Sequence, residues 1–247
     1  MKRIKLVVAY DGTNYCGWQV QPNGMTVEEM LNQTITKVMG TTTKVVGASR
    51  TDSGVHALGN VAVFDTECTI PGERVKHALN QHLPEDIRII DSDEVAAGFH
   101  PRFCETAKTY EYAILTGKSP YPTYRHTHYF VSYALNTNDM RKAAEYIVGT
   151  HDFTSFCSSK SEVEDRVRTI YSLDIVEEGR DNAQIKFIIK GNGFLYNMVR
   201  IIVGTLIDVG RGLIRPEDVE QILEAKDRTK AGATAPAQGL CLVEIKY

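Results

Sequence analysis

The chain has 247 residues, of which 43% are hydrophobic and 24% are charged, and its formal net charge is −3. This length leaves room for one large globular domain or two small ones. No apolar run reaches the roughly 18 residues that cross a bilayer, and the small negative charge excludes a protein that is basic throughout, so any nucleic-acid-binding face must be local.

The N-terminus predicts a strand rather than an export signal. Residues 2–10 alternate between polar and apolar side chains, and the apolar part is too short for a signal peptide and has no small-residue cleavage site after it. The five cysteines are odd in number, widely scattered and never in a C-x-x-C pair, which argues against a disulfide framework and against a zinc site. We therefore expect a cytoplasmic protein.

The first hundred residues predict strands mixed with helices. Thr26 and Glu29 have the spacing of a helix-capping box, and apolar residues at helical spacing follow until Gly40. The other elements expected here are strands over 43–48, 60–64 and 87–90 and a helix over 71–83.

The rest of the chain repeats this scheme. Strands are expected over 109–115, 166–176, 183–190 and 240–247, and helices over 137–148, 194–209 and 216–225. The stretch 97–107 has no clear period, so we place a boundary there and expect domains 1–100 and 101–247. Antiparallel strands with helices in each half are typical of an α+β sandwich.

The sequence "GASRTDSGVHALGN" at 47–60 separates two of the expected strands and contains Asp52. Asp, Ser and Gly favour turns because their backbones and short side chains form local hydrogen bonds. A carboxylate at such a junction is therefore either a turn residue or a positioned reagent. The local sequence leaves both interpretations open.

Arg200 stands in the middle of "FLYNMVRIIVGTLIDVG", which is apolar on nearly every helical face and predicts a buried helix. Buried arginine is rare unless it is paired, and no acidic residue lies three or four positions away. Arg200 must reach solvent, meet a carboxylate from elsewhere, or face a cleft that holds an anion.

Several segments, in order along essentially the whole chain, resemble the tRNA pseudouridine synthase A family. They are "YDGTNYCGWQ", "SRTDSGVHA", "FHPRF", "AKTYEYAI", "GTHDFTSF", "VRTIYSL", "NGFLYNMVRIIVG" and "APAQGLCLVEIKY". The resemblance implies an enzyme that isomerises uridine to pseudouridine in the anticodon stem-loop of tRNA, around positions 38 to 40, without cofactor or metal. It also implies a homodimer, and two related α/β sandwich halves, each a mainly antiparallel sheet with helices on one face, with an active-site cleft between the halves.

The match assigns roles to individual residues. It implies that Asp52 is the catalytic aspartate, that Arg200 pairs with Asp52, and that Tyr110 stacks on the target uracil. It further implies that Arg50 contacts the backbone of the displaced nucleotide and that Leu240 forms an apolar wall. A guanidinium beside the carboxylate would keep Asp52 ionised and would give Arg200 the partner that its own helix lacks.

These residue types suit the isomerisation. The N1–C1′ bond must break, the uracil must turn, and a C5–C1′ bond must form. A carboxylate can attack C1′ or C6 as a nucleophile, or it can remove a proton to give a glycal, and the sequence does not choose among these routes. Because the base lies in a stem-loop, it must be extruded into a pocket, where an aromatic ring replaces lost stacking.

Two other classes of protein are compatible with parts of the sequence. "DSG" at 52–54 is similar to the D-[ST]-G of aspartic proteases, but those sites need two carboxylates and this chain has one copy. A non-catalytic RNA-binding module is the stronger alternative. It leaves Asp52 unexplained, because a carboxylate that faces phosphate repels it.

Overall fold

The structure, a computed structural model, describes residues 1–179 and 184–247. The described chain forms two compact units. The first unit comprises Met1–Glu105 with Cys241–Tyr247, and the second unit comprises Thr106–Leu240. Each unit has a mainly antiparallel sheet together with helices, so the predicted α+β class is confirmed. Three expectations remain predictions: the division into domains 1–100 and 101–247, the structural similarity of the two halves, and the active-site cleft.

The strands are β1 (Lys2–Tyr10), β2 (Val46–Gly47), β3 (His56–Thr66), β4 (Ile87–Val95), β5 (Ala107–Thr116), β6 (Tyr129–Val131), β7 (Gly149–Asp152), β8 (Val167–Glu178), β9 (Gln184–Gly191) and β10 (Leu240–Lys246). The helices are α1 (Val27–Met39), α2 (Val75–Asn80), α3 (Thr137–Ile147), α4 (Met198–Gly210) and α5 (Asp218–Ala225).

The sheet of the first unit has the strand order β4-β1-β3-β10, with β2 also paired to β3. In β1 every second side chain from Ile4 onward is buried, which is the pattern of a strand with one face on the core. β3 is buried at nearly every position, because it is apolar on both faces and pairs with strands on both edges. The chain end joins this sheet as β10, which runs parallel to β3 with Cys241 opposite His56.

The expected helix at residues 27–39 is confirmed, and the one over 71–83 is shorter than predicted. The Thr26 side chain accepts a hydrogen bond from Glu29 N–H, and Gly40 ends α1 with φ of +71°. The second helix, α2, begins at Val75, after a turn that starts at Gly72. The Gly72 carbonyl accepts a hydrogen bond from the Ser92 hydroxyl of β4 at 2.7 Å and so is bonded to the sheet.

The sheet of the second unit has the order β5-β9-β8-β7, and β6 runs parallel to β5. The neighbouring pairs along this order are antiparallel. The strands expected over 109–115 and 166–176 are confirmed to within a few residues at each end. Of the strand expected over 183–190, Ala183 lies outside the described residues.

The long apolar helix is confirmed as α4, in which eleven of thirteen residues are buried. It begins at Met198 rather than at Phe194, because Asn197 adopts a left-handed backbone conformation with φ of +62° that a continuous helix does not allow. Residues 232–235 lie on this helix, and the Ala235 N–H donates to the Arg200 carbonyl at 3.1 Å. α4 therefore joins the core of the second unit to the segment that precedes β10.

Candidate active site

Asp52 lies in the loop 48–55 that joins β2 to β3. Its carbonyl accepts a hydrogen bond from Val55 N–H at 3.1 Å, and Gly54 has φ of +77°, a backbone conformation that favours glycine. Asp52 thus lies in a turn that the backbone forms, which is compatible with both interpretations of its carboxylate. The Asp52 residue is partly exposed, whereas Thr51 before it and Val55 after it are buried.

A buried hydrogen-bond network fixes the residue directly before Asp52. The Tyr10 hydroxyl and Thr51 Oγ1 lie 2.7 Å apart, and Asn60 Nδ2 donates to the Tyr10 hydroxyl at 3.3 Å. Tyr10, Thr51 and Asn60 are 4%, 8% and 0% exposed. Because an unpartnered polar group costs free energy when it is buried, these bonds restrict where Thr51 can lie.

The Asn60 amide also fixes the start of the loop. Its Oδ1 accepts from Ser49 N–H at 3.3 Å, and its Nδ2 donates to the Ser49 carbonyl at 3.0 Å. The Asn60 side chain thus pairs with both the N–H and the carbonyl of Ser49, as the backbone of a neighbouring strand would. Asn60 stands opposite Val8, while Tyr10 stands opposite Ala57, so the register shifts between them. Such a β-bulge re-aims side chains, and bulges are frequent beside active sites.

The segment after β1 supports the same loop. Trp18 N–H donates to the Thr51 carbonyl at 3.1 Å, and the Tyr15 carbonyl accepts from Gly54 N–H at 3.3 Å. The Ser53 hydroxyl donates to the Tyr15 carbonyl at 3.2 Å. A side chain at Gly17 would place its Cβ 2.6 Å from the Thr51 carbonyl oxygen. The "YDGTNYCGW" segment is therefore a support for the Asp52 loop.

Replacing Tyr10 with phenylalanine should lower the free energy of unfolding by about 1–3 kcal/mol. The reason is that the buried Thr51 hydroxyl and the buried Asn60 amide each lose their hydrogen bond to the Tyr10 hydroxyl. Urea unfolding measures this. In a double-mutant cycle, Tyr10→Phe and Thr51→Val should cost less together than the sum of their separate effects. Tyr15→Phe is the matched control, because the Tyr15 hydroxyl donates to Asp86 instead, at 2.6 Å, so its effect should add to that of Thr51→Val. Wild-type stability in Tyr10→Phe would contradict this account of the network.

Two arginines of the first unit lie near the Asp52 loop. Arg50 is exposed, and Arg102 Nε donates to the Gly47 carbonyl at 2.7 Å, which attaches the 97–105 stretch to β2. Burial and the positive charge of Arg50 lower the pKa of the Arg102 guanidinium, and Glu28 acts in the opposite direction. Arg50 on the loop and Arg102 on the 97–105 stretch are thus two cations close enough to repel each other.

Arg200 is partly exposed on α4, and its hydrogen bonds include one to Ala235 and one to Asn197. Its Nε donates to the Ala235 carbonyl at 2.7 Å, and its Nη1 donates to Asn197 Oδ1 at 2.8 Å. These two acceptors are neutral oxygens, and they fix the guanidinium through its N–H groups.

Tyr110 lies on β5 opposite Ile189 of β9 and is 6% exposed. Its ring forms a T-shaped contact with the Phe194 ring, with 5.1 Å between the ring centroids and 80° between the planes. Phe194 belongs to the stretch that leads into α4. Tyr110, predicted to stack on the base, therefore contacts a residue that precedes Arg200 by six positions in the chain.

Tyr112 is a further buried tyrosine of β5, and its hydroxyl donates to the Pro236 carbonyl at 2.8 Å. Burial raises the pKa of Tyr112, while the positive charge of Arg200 lowers it. Gly239 packs on the Tyr112 ring, so close that an added Cβ would lie 2.6 Å from it. Leu240 follows directly and is 6% exposed.

The structure thus brings the predicted site residues into two groups. Asp52 and Arg50 share one loop of the first unit. In the second unit, Tyr110 lies on β5, Arg200 bonds to Ala235 at the start of the "APAQGL" segment, and Leu240 ends that segment. Sequence reasoning assigned no role to a set of residues that support these groups, namely Tyr10, Thr51, Asn60, Tyr112 and Asn197. An asparagine inside an otherwise apolar strand was a usable signal for Asn60, since a buried amide needs several partners.

In residues 1–179 and 184–247 no three His, Cys, Asp or Glu side chains form a group that could hold a metal ion. No helix of that part of the chain is long and apolar enough to cross a membrane.

Comparison with known proteins identifies the family. A family model described as tRNA pseudouridine synthase matches residues 6–103 and 143–247. The tRNA pseudouridine synthase A of Thermoanaerobacter sp. strain X514 is 50% identical over 247 residues and covers 100% of both chains. The proteins of that name from Acetivibrio thermocellus and Bacillus subtilis are each 49% identical, with 100% and 99% of each chain covered.

Among solved structures, a Cbf5-Nop10-Gar1 complex matches 99% of this chain and 57% of its own chain, at 12% identity and a TM-score of 0.33. That TM-score is too low to support a shared fold. The sequence matches by themselves show that the chain belongs to the tRNA pseudouridine synthase family. Its class is an isomerase that converts uridine to pseudouridine in tRNA.

Proposed function

We propose that this chain modifies the anticodon stem-loop of tRNA, around positions 38 to 40, with Asp52 as the catalytic nucleophile. One observation carries the role of Asp52: it is partly exposed in a loop whose neighbouring residues are fixed by buried hydrogen bonds. A nucleophile that is held in place before substrate binds needs no costly rearrangement during the reaction.

The two cations near the loop support contact with the RNA backbone. Arg50 is exposed two residues before Asp52, and its positive charge lowers the pKa of Arg102. A phosphate group near both would replace their mutual repulsion with attraction. We propose that Arg50 contacts the backbone of the displaced nucleotide and that Arg102 assists it.

We propose that Tyr110 stacks on the extruded uracil, that Arg200 pairs with Asp52 and orients it, and that Leu240 forms an apolar wall. The contact of Tyr110 with Phe194 and the two hydrogen bonds of Arg200 support these roles, because a rigid platform orients a base at lower entropic cost than a mobile one. The family resemblance further supports a cytoplasmic homodimer that works without cofactor or metal.

The proposed reaction is balanced within one nucleotide. The N1–C1′ bond breaks, the uracil turns while it remains bound, and C5 bonds to C1′. The hydrogen that C5 carried leaves as a proton, and N1 takes up a proton in its place. Attack of the carboxylate on C1′, attack on C6 and a glycal route all meet this balance.

Purified protein that is given tRNA tritiated at uridine C5 should release label to water in the presence of a chelator and with nothing else added. Released label should equal the pseudouridine found in the anticodon arm, and the RNA mass should change only by the isotope exchanged. Label released from uridines outside that arm would contradict the proposed position, while dependence on an added metal would contradict the proposed chemistry.

A further inference from the structure

Asn197 has an unusual backbone for its place in the fold. Its φ is +62° and ψ is +7°, and in the described ranges the other non-glycine residue with positive φ is Lys226. Lys226 follows the last turn of α5, where a left-handed residue is a common ending. Asn197 instead precedes the first turn of α4, where the capping residue is normally extended.

Helix capping does not account for Asn197. Asparagine is a favoured N-cap because its side chain accepts from a backbone N–H of the first turn, yet the Asn197 side chain makes no such bond. Its Oδ1 instead accepts from Arg200 Nη1 at 2.8 Å. The strained backbone therefore accompanies a bond to the arginine rather than a stabilised helix end.

The hydrogen bonds from Arg200 to Asn197 and to Ala235 involve different nitrogens of the guanidinium. Asn197 bonds to Nη1 and the Ala235 carbonyl bonds to Nε. Since the guanidinium is planar, two bonded nitrogens fix both its position and its plane. An amide oxygen at Asn197 does this without cancelling the charge that Arg200 needs in order to pair with a carboxylate.

We propose that Asn197 is a positioning residue for Arg200, holding the guanidinium in the orientation that the reaction uses. This inference rests on the proposed role of Arg200. It predicts that the Asn197 side chain matters for turnover, although a glycine would fit the backbone at this position better than asparagine does.

Asn197→Gly separates the side chain from the backbone. Glycine adopts positive φ without strain, which offsets the lost hydrogen bond to Arg200, so the variant should unfold within a few degrees of the wild-type temperature. Its kcat in the tritium-release assay should fall about ten- to a hundredfold, because a misplaced group costs rate even when substrate still binds, and KM should stay near the wild-type value. Lys226→Gly is the matched control: it removes the same kind of strain and should leave kcat unchanged.

A second measurement does not depend on activity. Hydrogen exchange at Arg200 Nε–H, assigned by its loss in Arg200→Met, should become about tenfold faster in Asn197→Gly. It should remain slow in Asn197→Asp, which keeps an acceptor at the same place and tolerates the left-handed backbone. If wild-type protein released no tritium, the proposed function would fail, while the exchange data would still test whether Asn197 holds Arg200.

The inference is overturned if Asn197→Gly keeps both wild-type kcat and slow exchange at Arg200 Nε. It is also overturned if Asn197→Gly lowers kcat in an Arg200→Met background by the same factor as in wild type, because two residues that act through one contact should not be additive. A lowered unfolding temperature that by itself accounts for the loss of turnover would assign Asn197 to folding instead.

Discussion

Asp52→Ala should abolish pseudouridine formation, with a loss of turnover of at least about a thousandfold, and Asp52→Asn should do the same. The amide of the asparagine variant has the shape of the carboxylate but cannot act as a nucleophile in its place. Both variants should fold, since Asp52 forms its turn through its backbone carbonyl. Tritium release measures turnover, and filter binding should give a tRNA affinity close to that of wild type.

A matched control removes a different carboxylate of the same unit. Asp91 on β4 forms an ion pair with Lys76 at 3.0 Å, and the hydrogen bond from Lys76 lowers the pKa of the Asp91 carboxyl. Asp91→Asn should therefore keep wild-type turnover. Turnover within tenfold of wild type in Asp52→Ala would refute the assignment of Asp52 and would favour a turn residue without chemistry.

Arg200→Met should reduce kcat by about a hundredfold or more, because the substrate site loses the charge proposed to keep Asp52 ionised and the fork that orients it. The structure adds an effect on stability. The Ala235 carbonyl and Asn197 Oδ1 each lose a hydrogen bond, which should lower the free energy of unfolding by about 1–3 kcal/mol.

Two further variants separate charge from geometry. Arg200→Lys keeps the charge without the planar fork and should recover a small part of the lost kcat. Arg211→Met removes a cation from the end of the same helix, where Arg211 contacts the Tyr133 ring at 4.4 Å from its centroid, and should keep wild-type turnover. An active Arg200→Met enzyme would show that this arginine has a structural role alone.

Local sequence patterns determined those elements whose residues are close together along the chain. α1 is bounded by Thr26 and Gly40 because both capping groups act within one helical turn. β1 follows from alternation, and the turn at Asp52 follows from Gly54, which can adopt positive φ. The order of several motifs likewise sufficed to place the chain in its family and to select Asp52 and Arg200 for testing.

Contacts between residues far apart in the chain decided the rest. Asn60 forms hydrogen bonds with Ser49 and Tyr10, and Arg200 forms one with Ala235. The hydrophobic periodicity of the sequence does not predict these bonds. The helix expected over 71–83 lost its first turn because the Gly72 carbonyl is bonded to β4.

The two largest differences from expectation have the same origin. The last strand, β10, is expected from its own residues, but its parallel place beside β3 depends on a partner 185 positions away, since Cys241 stands opposite His56. The start of α4 at Met198 depends on the left-handed Asn197, whose side chain is bonded to Arg200. The sequence by itself selected the residues proposed to carry the chemistry, because residue type and order are local properties. The tertiary structure decided which hydrogen bonds position these residues, because a buried hydrogen bond forms only after folding has brought the distant partner into place.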